Sequence, residues 1–244
     1  MANVIETMGL TKKYKEKTAV DSLTISIPEG KLVALLGVNG AGKTTTIRML
    51  SCLSKPTAGS AKVFGHDVTK EPDAVKKLVG ISTQDTAVAE NLTVRENLEF
   101  MAAIYLEKSR IKTSVENTIK AFGLEEYENK KAKLLSGGWK RKLSIAMAII
   151  GEPKVLFLDE PTLGLDVLAR RQLWKEVEAL KDRMSIILTT HYMEEAEALA
   201  DRIFIMIDGK VVTDGTLSEL EEKTGKKGLE EVFITIAERG IDNE

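Results

Sequence analysis

One stretch of the sequence decides the fold, and it reads Gly37-Val38-Asn39-Gly40-Ala41-Gly42-Lys43-Thr44-Thr45. This stretch, called here the phosphate loop, fits the pattern G-x-x-x-x-G-K-[ST], in which glycines let backbone N–H groups point at phosphate oxygens. Residues 31–36 predict a buried strand before the loop, and residues 45–53 predict a helix after it. The positive end of that helix adds to the attraction for phosphate. The order of strand, loop and helix predicts an α/β fold that binds a nucleoside triphosphate.

Two side chains of the phosphate loop have specific predicted roles. Lys43 is expected to reach the β- and γ-phosphates, and Thr44 is expected to offer its hydroxyl to Mg²⁺. The loop by itself leaves kinases, GTPases and many ATPases open as classes. The sequence contains no Asn-Lys-x-Asp motif for guanine recognition, which disfavours a GTPase.

A second buried strand is predicted at residues 155–158, which read VLFL and are followed by Asp159 and Glu160. Ligands of parallel sheets bind at the carboxyl ends of the strands, so we expect this acidic pair to face the phosphates. Asp159 suits the binding of Mg²⁺, and Glu160 is placed to polarise the water that attacks the γ-phosphate. The acidic pair therefore predicts hydrolysis of the nucleotide.

A third motif, called here the signature segment, is Leu135-Ser136-Gly137-Gly138, and it precedes a predicted helix. Its glycines leave backbone N–H groups open, its serine adds a hydroxyl, and the helix start adds a positive dipole end. The chain thus has two phosphate-binding surfaces, although one already grips the nucleotide. Two chains placed head to tail would share them, so the sequence predicts a dimer around two nucleotides.

Together these motifs resemble the nucleotide-binding domain of ATP-binding cassette (ABC) transporters, from Tyr14 to about Ile236. The signature segment resembles the family signature that contacts ATP across the dimer. The resemblance implies that Gln84 is the Q-loop glutamine, which touches Mg²⁺ and senses the membrane partner. It also implies that Asp166 belongs to the D-loop, that His191 is the switch histidine at the γ-phosphate, and that Tyr14 stacks on adenine.

The resemblance implies a P-loop NTPase core with a mixed sheet, an N-terminal antiparallel β subdomain and an inserted α-helical subdomain at about residues 86–150. The nucleotide-binding domain is expected to cover residues 1–236, followed by a C-terminal tail at residues 237–244. The implied cofactors are ATP and Mg²⁺. The implied catalytic residues are Glu160 and His191, and the implied metal ligands are Thr44, Gln84 and Asp159.

One residue departs from the family pattern. The family signature commonly ends in glutamine, whereas this chain has Trp139. The groups assigned to phosphate, Ser136 and the Gly138 backbone, are retained, so we expect hydrolysis to survive. The tryptophan could stack or pack at the dimer face, where tryptophan is favoured.

Composition limits the partners and the location. The chain has 244 residues, of which 43% are hydrophobic and 30% charged, and its formal net charge is −2, which gives no reason to expect nucleic acid as a partner. The single Cys52 excludes an internal disulfide, and no apolar run approaches the length that spans a bilayer. We expect a cytoplasmic protein, peripheral on the inner face of the cell membrane. Its expected partners are a second nucleotide-binding subunit, identical or different, and an integral membrane permease.

The direction of transport is predicted from a weaker resemblance, and other functions stay open. Residues 188–197 and 229–233 resemble export-type cassettes, including drug-efflux members. The alternatives are a soluble cassette ATPase that is not coupled to transport, another class of P-loop protein, and a non-catalytic binding module. Co-purification with a membrane protein separates the first alternative from a transporter subunit.

Local patterns predict several further elements. Thr93 and Glu96 form a capping-box pattern at the start of a helix predicted at residues 93–105. Turns are predicted at Pro28-Glu29-Gly30 and at Ala58-Gly59. One more helix is predicted after Lys223, before the tail.

Overall fold

The computed structural model describes residues 3–241 and divides into two compact units. The first unit holds the chain up to Lys76 and again from Ser185 onward, and the second unit is Lys77–Met184. The strands in chain order are β1 (Asn3–Tyr14), β2 (Lys17–Leu23), β3 (Ser26–Pro28), β4 (Leu32–Leu36), β5 (Ala58–Val63), β6 (His66–Asp67), β7 (Val79–Ser82), β8 (Val155–Asp159), β9 (Ser185–Thr190), β10 (Arg202–Ile207) and β11 (Lys210–Gly215). The helices are α1 (Lys43–Leu50), α2 (Pro72–Leu78), α3 (Val94–Tyr105), α4 (Lys108–Ala121), α5 (Gly137–Ile149), α6 (Val167–Glu178), α7 (Met193–Leu199), α8 (Leu217–Thr224) and α9 (Leu229–Ile241).

The first unit begins with an antiparallel sheet. Its strands follow the order β2-β1-β5-β6, and β3 pairs with β1. The predicted N-terminal antiparallel β subdomain is therefore confirmed. The turn predicted at Ala58-Gly59 is wrong, because both residues lie in β5. Gly59 has φ +75°, and a Cβ there would lie 2.1 Å from the Gly9 carbonyl oxygen, so this glycine allows a close approach of β1 and β5.

A second sheet of the first unit follows the order β11-β10-β4-β9. Strands β10, β4 and β9 run parallel, while β11 is antiparallel to β10, so the predicted mixed sheet is confirmed. Every residue of β4 and β9 is buried, as expected for parallel strands covered on both faces. Helices α1 and α7 pack on these strands, and α1 begins directly after the loop that follows β4.

The second unit combines two parallel strands with helices. Strands β7 and β8 pair in register from Val79↔Val155 to Ser82↔Leu158. Helices α3, α4 and α5 lie within the predicted helical insertion, joined by single 3₁₀ turns at Glu125–Tyr127 and Ala132–Leu134. The predicted capping box is confirmed, because the Thr93 hydroxyl accepts from the Glu96 N–H at 3.1 Å while the Glu96 carboxylate accepts from the Thr93 N–H at 2.7 Å.

The last helix of the first unit extends further along the chain than predicted. Helix α9 continues to Ile241, because Leu229, Val232 and Phe233 bury one of its faces. The tail predicted at residues 237–244 thus starts too early, and residues 242–244 lie outside the described residues. Among residues 3–241, no helix is long and apolar enough to cross a membrane.

Candidate nucleotide site

The phosphate loop connects β4 to α1 in the first unit, and close backbone contacts fix its ends. The Gly37 N–H donates to the Thr190 carbonyl at 3.2 Å, and a Cβ on Gly37 would lie 2.4 Å from the Met206 carbonyl oxygen. Gly42 has φ +100°, and its Cβ would lie 2.4 Å from the Ala19 carbonyl oxygen. These two positions therefore require glycine, one for space and the other for both space and conformation.

Lys43 is the first residue of α1, and its side chain folds back over the phosphate loop. Its ammonium donates to the carbonyls of Gly37 at 2.7 Å and Val38 at 3.1 Å, and the residue is only 4% exposed. The first N–H groups of a helix lack intrahelical acceptors, and here they are at the end of the loop. A cation and open N–H groups at one place are the chemistry that binds a polyphosphate.

The first unit also carries two other predicted site residues. His191 directly follows Thr190, the last residue of β9. The Thr190 carbonyl accepts the hydrogen bond from the Gly37 N–H at the start of the phosphate loop. The His191 ring centroid lies 4.2 Å from that of Tyr192. Tyr14 ends β1 with 47% of its surface exposed, and the Lys12 ammonium lies 5.0 Å from its ring centroid. The exposed ring of Tyr14 is accessible for stacking.

The acidic pair lies at the end of β8 in the second unit. Asp159 is the last residue of the strand, and it and Glu160 are both buried. Glu160 has φ +46°, a left-handed conformation that costs a residue other than glycine about 1–3 kcal/mol. The surrounding structure holds this carboxylate in a strained backbone conformation, which is a common property of functional residues.

Gln84 lies near the acidic pair within the second unit. It follows β7 by two residues, is exposed, and β7 runs parallel to β8 with Ser82 opposite Leu158. The carboxyl ends of both strands meet at one edge, so Gln84 and Asp159 follow neighbouring strand ends. The two predicted Mg²⁺ ligands therefore lie at the same edge of this strand pair.

Arg141 on α5 joins the same two strand ends. Its guanidinium donates to the carbonyls of Thr83 at 2.5 Å and Gln84 at 3.3 Å after β7. It also donates to the carbonyls of Asp159 at 2.6 Å and Pro161 at 2.8 Å after β8. No role was predicted for Arg141 from the sequence, because a run of three basic residues on a helix normally indicates a solvated face.

The signature segment forms the N-terminus of α5. Ser136 is the N-cap residue, and the two glycines are the first residues of the helix. Across from it, Asp166 caps α6 by accepting from the N–H groups of Leu168 and Ala169, both at 2.9 Å. A cleft of about 820 Å³ lies here, lined by Ser136, Gly137, Gly138, Trp139, Lys142, Gly164, Leu165, Asp166, Leu168, Ala169, Arg171, Gln172, Leu173 and Lys175. Three residues of the signature segment, Ser136, Gly137 and Gly138, therefore share one cleft of the second unit with the predicted D-loop residue Asp166.

Trp139 stacks inside the second unit. Its ring centroid lies 4.3 Å from that of Tyr127, and the ammonium of Lys142 lies 4.7 Å from the Trp139 centroid. Lys130 covers the Tyr127 ring at 4.6 Å, and Lys142 also pairs with Glu176 at 2.5 Å. The residue that departs from the family pattern thus belongs to a row of two rings between two lysines.

A surface ion pair adjoins this region. The Lys140 ammonium donates to the Glu90 carboxylate at 2.9 Å, and this bond holds the pKa of Glu90 below its usual value. Among residues 3–241, no group of three or more His, Cys, Asp and Glu side chains could hold a metal ion. The predicted Mg²⁺ ligands instead include a hydroxyl and an amide, and oxygen donors of these kinds fit Mg²⁺.

Comparisons with known proteins show which family this chain resembles. The family model described as ABC transporter matches residues 20–163. The daunorubicin/doxorubicin resistance ATP-binding protein DrrA of Streptomyces peucetius is 44% identical over 227 residues, which cover 92% of this chain and 69% of that protein.

Solved structures match over most of the chain as well. The ATP-binding subunit of an ABC transporter superposes with a TM-score of 0.86 at 28% identity, over 96% of this chain and 99% of that chain. A dimeric ATP-binding cassette in a post-hydrolysis state with bound ADP and phosphate gives a TM-score of 0.79 at 25% identity, over 87% of this chain and 98% of that chain. The chain therefore belongs to the ABC transporter family and is one of its ATP-binding and ATP-hydrolysing subunits.

Proposed function

We propose that two copies of this subunit, or one copy and a related subunit, close around two ATP molecules and drive export through a separate membrane permease. Each ATP is held by the phosphate loop of one chain and the signature segment of the other. The observation that carries the proposal is the acidic pair at the carboxyl end of β8, where Asp159 and Glu160 are both buried. Ligands of parallel sheets bind at that end of the strands, and a carboxylate placed there can accept a proton from an attacking water.

Binding of ATP is assigned to the first unit. Lys43 moves from the loop carbonyls of Gly37 and Val38 to the β- and γ-phosphates, and the glycines present backbone N–H groups to the same oxygens. Tyr14 stacks on the adenine. These contacts hold the nucleotide before hydrolysis begins.

Mg²⁺ is assigned to Thr44, Gln84 and Asp159. Their hydroxyl, amide and carboxylate oxygens are hard donors of the kind that Mg²⁺ prefers. When bound, the ion neutralises negative charge on the phosphates. Asp159 contributes the charged oxygen of the set.

Hydrolysis is assigned to Glu160 and His191. Glu160 accepts a proton from the attacking water, and His191 donates a hydrogen bond to the γ-phosphate as charge develops. The Ser136 hydroxyl and the N–H of Gly138 from the second chain complete the group of donors. Exclusion of water by the closed dimer strengthens these interactions.

The dimer and the export direction rest on separate support. The cleft beside Ser136 and Asp166 is lined by the residues assigned to the second ATP contact, and a related cassette is dimeric with ADP and phosphate bound. A relative with 44% identity is named for daunorubicin and doxorubicin resistance, which favours export of amphipathic compounds.

The central test is Glu160→Gln in the purified full chain. We expect steady-state ATP hydrolysis to fall at least about 100-fold, the usual contribution of a general base, while ATP affinity changes less than about threefold. The variant should form a stable dimer with ATP in light-scattering measurements. Lys43→Ala should instead lose ATP affinity.

Two outcomes contradict the proposal. Wild-type hydrolysis by Glu160→Gln would remove Glu160 from the mechanism, and a monomer under saturating ATP would contradict the dimer. For the transport part, a tagged chain extracted from membranes should bring an integral membrane protein with it. Inside-out vesicles should then accumulate daunorubicin only with ATP, and accumulation in right-side-out vesicles alone would indicate import.

A further inference from the structure

We infer that Arg141 is a positioning residue for ATP hydrolysis, which holds the Q-loop and the acidic pair in their active arrangement. The inference rests on the roles proposed above for Gln84 and Glu160. Arg141 lies on α5, three residues after the signature segment, and is only 4% exposed. Its side chain therefore points into the second unit rather than into the solvent.

The guanidinium of Arg141 links two segments that are far apart in sequence. It bonds the carbonyls of Thr83 and Gln84 on one side and those of Asp159 and Pro161 on the other. A guanidinium is planar and rigid, so one group with four acceptors fixes the separation of the two segments. Hydrogen bonds from a charged donor are also stronger than neutral ones.

The bonds after β8 flank the strained residue. Arg141 holds the carbonyl before Glu160 and the carbonyl after it, which belong to Asp159 and Pro161. A residue at φ +46° persists only where its surroundings hold it. Arg141 provides two such contacts, so its loss frees the backbone on both sides of the proposed general base.

The hydrogen bonds from Arg141 to the segment after β7 act on Gln84, the proposed Mg²⁺ ligand. Gln84 is exposed, and its backbone carbonyl is one of the acceptors of Arg141. Fixing the backbone at residues 83 and 84 limits where the Gln84 amide can reach. A single group thus positions both the proposed Mg²⁺ ligand and the proposed general base.

Helix α5 is itself well anchored near Arg141. One turn later, the hydroxyls of Ser144 and Ser82 share a hydrogen bond of 2.9 Å that ties α5 to β7. Leu143 and Ile145 are fully buried. The guanidinium therefore projects from a fixed support, which is required of a residue that positions others.

The test compares Arg141→Lys and Arg141→Ala with the wild type, using the purified full chain. Lysine keeps the charge but offers three donors at one point, so it cannot satisfy both segments. We expect kcat to fall at least about tenfold in both variants. Affinity for ATP without Mg²⁺ should change less than about threefold, because the phosphate loop is intact.

A chemical rescue separates positioning from packing. Guanidinium chloride at about 20 mM should raise the kcat of Arg141→Ala severalfold by occupying the vacated site, and should leave the wild type unchanged. The control is Arg110→Gln, which removes an exposed arginine that pairs with Glu152 at 2.6 Å. Its kcat should match the wild type.

Several outcomes overturn the inference. They are a wild-type kcat in Arg141→Lys, or a loss of Mg²⁺-free ATP affinity as large as the loss of kcat. A folded Arg141→Ala variant that guanidinium does not rescue is a third. If Arg141→Ala does not fold, the test rests on Arg141→Lys. A lowered kcat in that variant, with an unfolding midpoint equal to that of the wild type, supports the inference, and a wild-type kcat overturns it. Wild-type activity in Arg141→Lys beside an inactive Glu160→Gln defeats this inference alone, whereas an active Glu160→Gln defeats the proposed function.

Discussion

The phosphate loop and the region around the signature segment are built for the same kind of ligand but are held in different ways. Backbone contacts hold the loop, such as the bond from the Gly37 N–H to the Thr190 carbonyl. Side chains hold the signature region, through the stack of Trp139 on Tyr127 and the four bonds of Arg141. The first region should therefore fail when a side chain is added where the backbone is closely packed, as at Gly37 and Gly42, and the second when particular side chains are exchanged.

The largest effect should come from adding one methyl group to the backbone-held region. Gly42→Ala forces an L-residue to φ +100° and places its Cβ 2.4 Å from the Ala19 carbonyl oxygen. The left-handed conformation costs about 1–2 kcal/mol, and relief of the clash adds to it, so unfolding free energy should fall by more than about 2 kcal/mol. Denaturant unfolding followed by circular dichroism measures this change.

Gly40→Ala is the matched control for that substitution. Gly40 has φ +88°, but no atom lies within 4 Å of the added Cβ. The free energy of unfolding should therefore fall only by the cost of the left-handed conformation, about 1–2 kcal/mol. Equal losses in the two alanine variants would mean that the contact with Ala19 is unimportant and that the loop is less tightly held than we describe.

A smaller effect is expected in the side-chain-held region. Trp139→Gln restores the common family residue but removes the ring contact at 4.3 Å with Tyr127 and the contact with the Lys142 ammonium. Aromatic pairs contribute about 0.5–1.5 kcal/mol and cation–π contacts about 0.5–1 kcal/mol, so unfolding free energy should fall by about 1–2 kcal/mol. Hydrolysis should persist.

A double-mutant cycle with Tyr127→Leu isolates the stack. The two substitutions should be non-additive by about 0.5–1.5 kcal/mol in unfolding free energy. Additive effects would show that Trp139 contributes through its own burial, and that the stack does not support the signature segment.

The smallest effect is expected at the edge of the same region. Because the Lys140 hydrogen bond lowers the pKa of Glu90 in the folded state, the pair stabilises the fold above the unfolded pKa. That contribution is lost as the pH falls through the folded pKa. Glu90 is exposed, so Glu90→Gln should lower the melting temperature at pH 7 by about 1 °C or less, and the difference should vanish once the pH is below the folded pKa of Glu90. A difference that grows on acidification would contradict this.

The sequence predicted the phosphate loop because its chemistry depends on contiguous residues and on the backbone. The capping box at Thr93 and Glu96 was predictable for the same reason, since its two partners are one helical turn apart. Arg141 could not be predicted, because its acceptors lie 18 to 58 residues away and a charge run such as Lys140-Arg141-Lys142 normally faces solvent. Spatial neighbours of this kind become visible only in the folded chain.

The fold was predictable to the level of its subdomains but not in every local detail. The sequence pattern predicts a turn at Gly59 because glycine often occurs in turns, whereas in the structure Gly59 lies in a strand and needs φ +75° to approach Gly9. The pattern after Lys223 does not predict the helical end of α9, because these residues are charged and weakly periodic. Burial of Val232 and Phe233 earlier in the helix supports its continuation. Both errors arise where tertiary contacts outweigh local preference.

The backbone at Glu160 has a consequence for how such a chain changes over generations. At φ +46°, glycine would remove a strain of about 1–3 kcal/mol. Selection for stability alone would therefore favour glycine at this position and would remove the carboxylate. Under the role proposed for Glu160, exchange to glycine would trade turnover for stability, which is the form of a stability–activity trade-off.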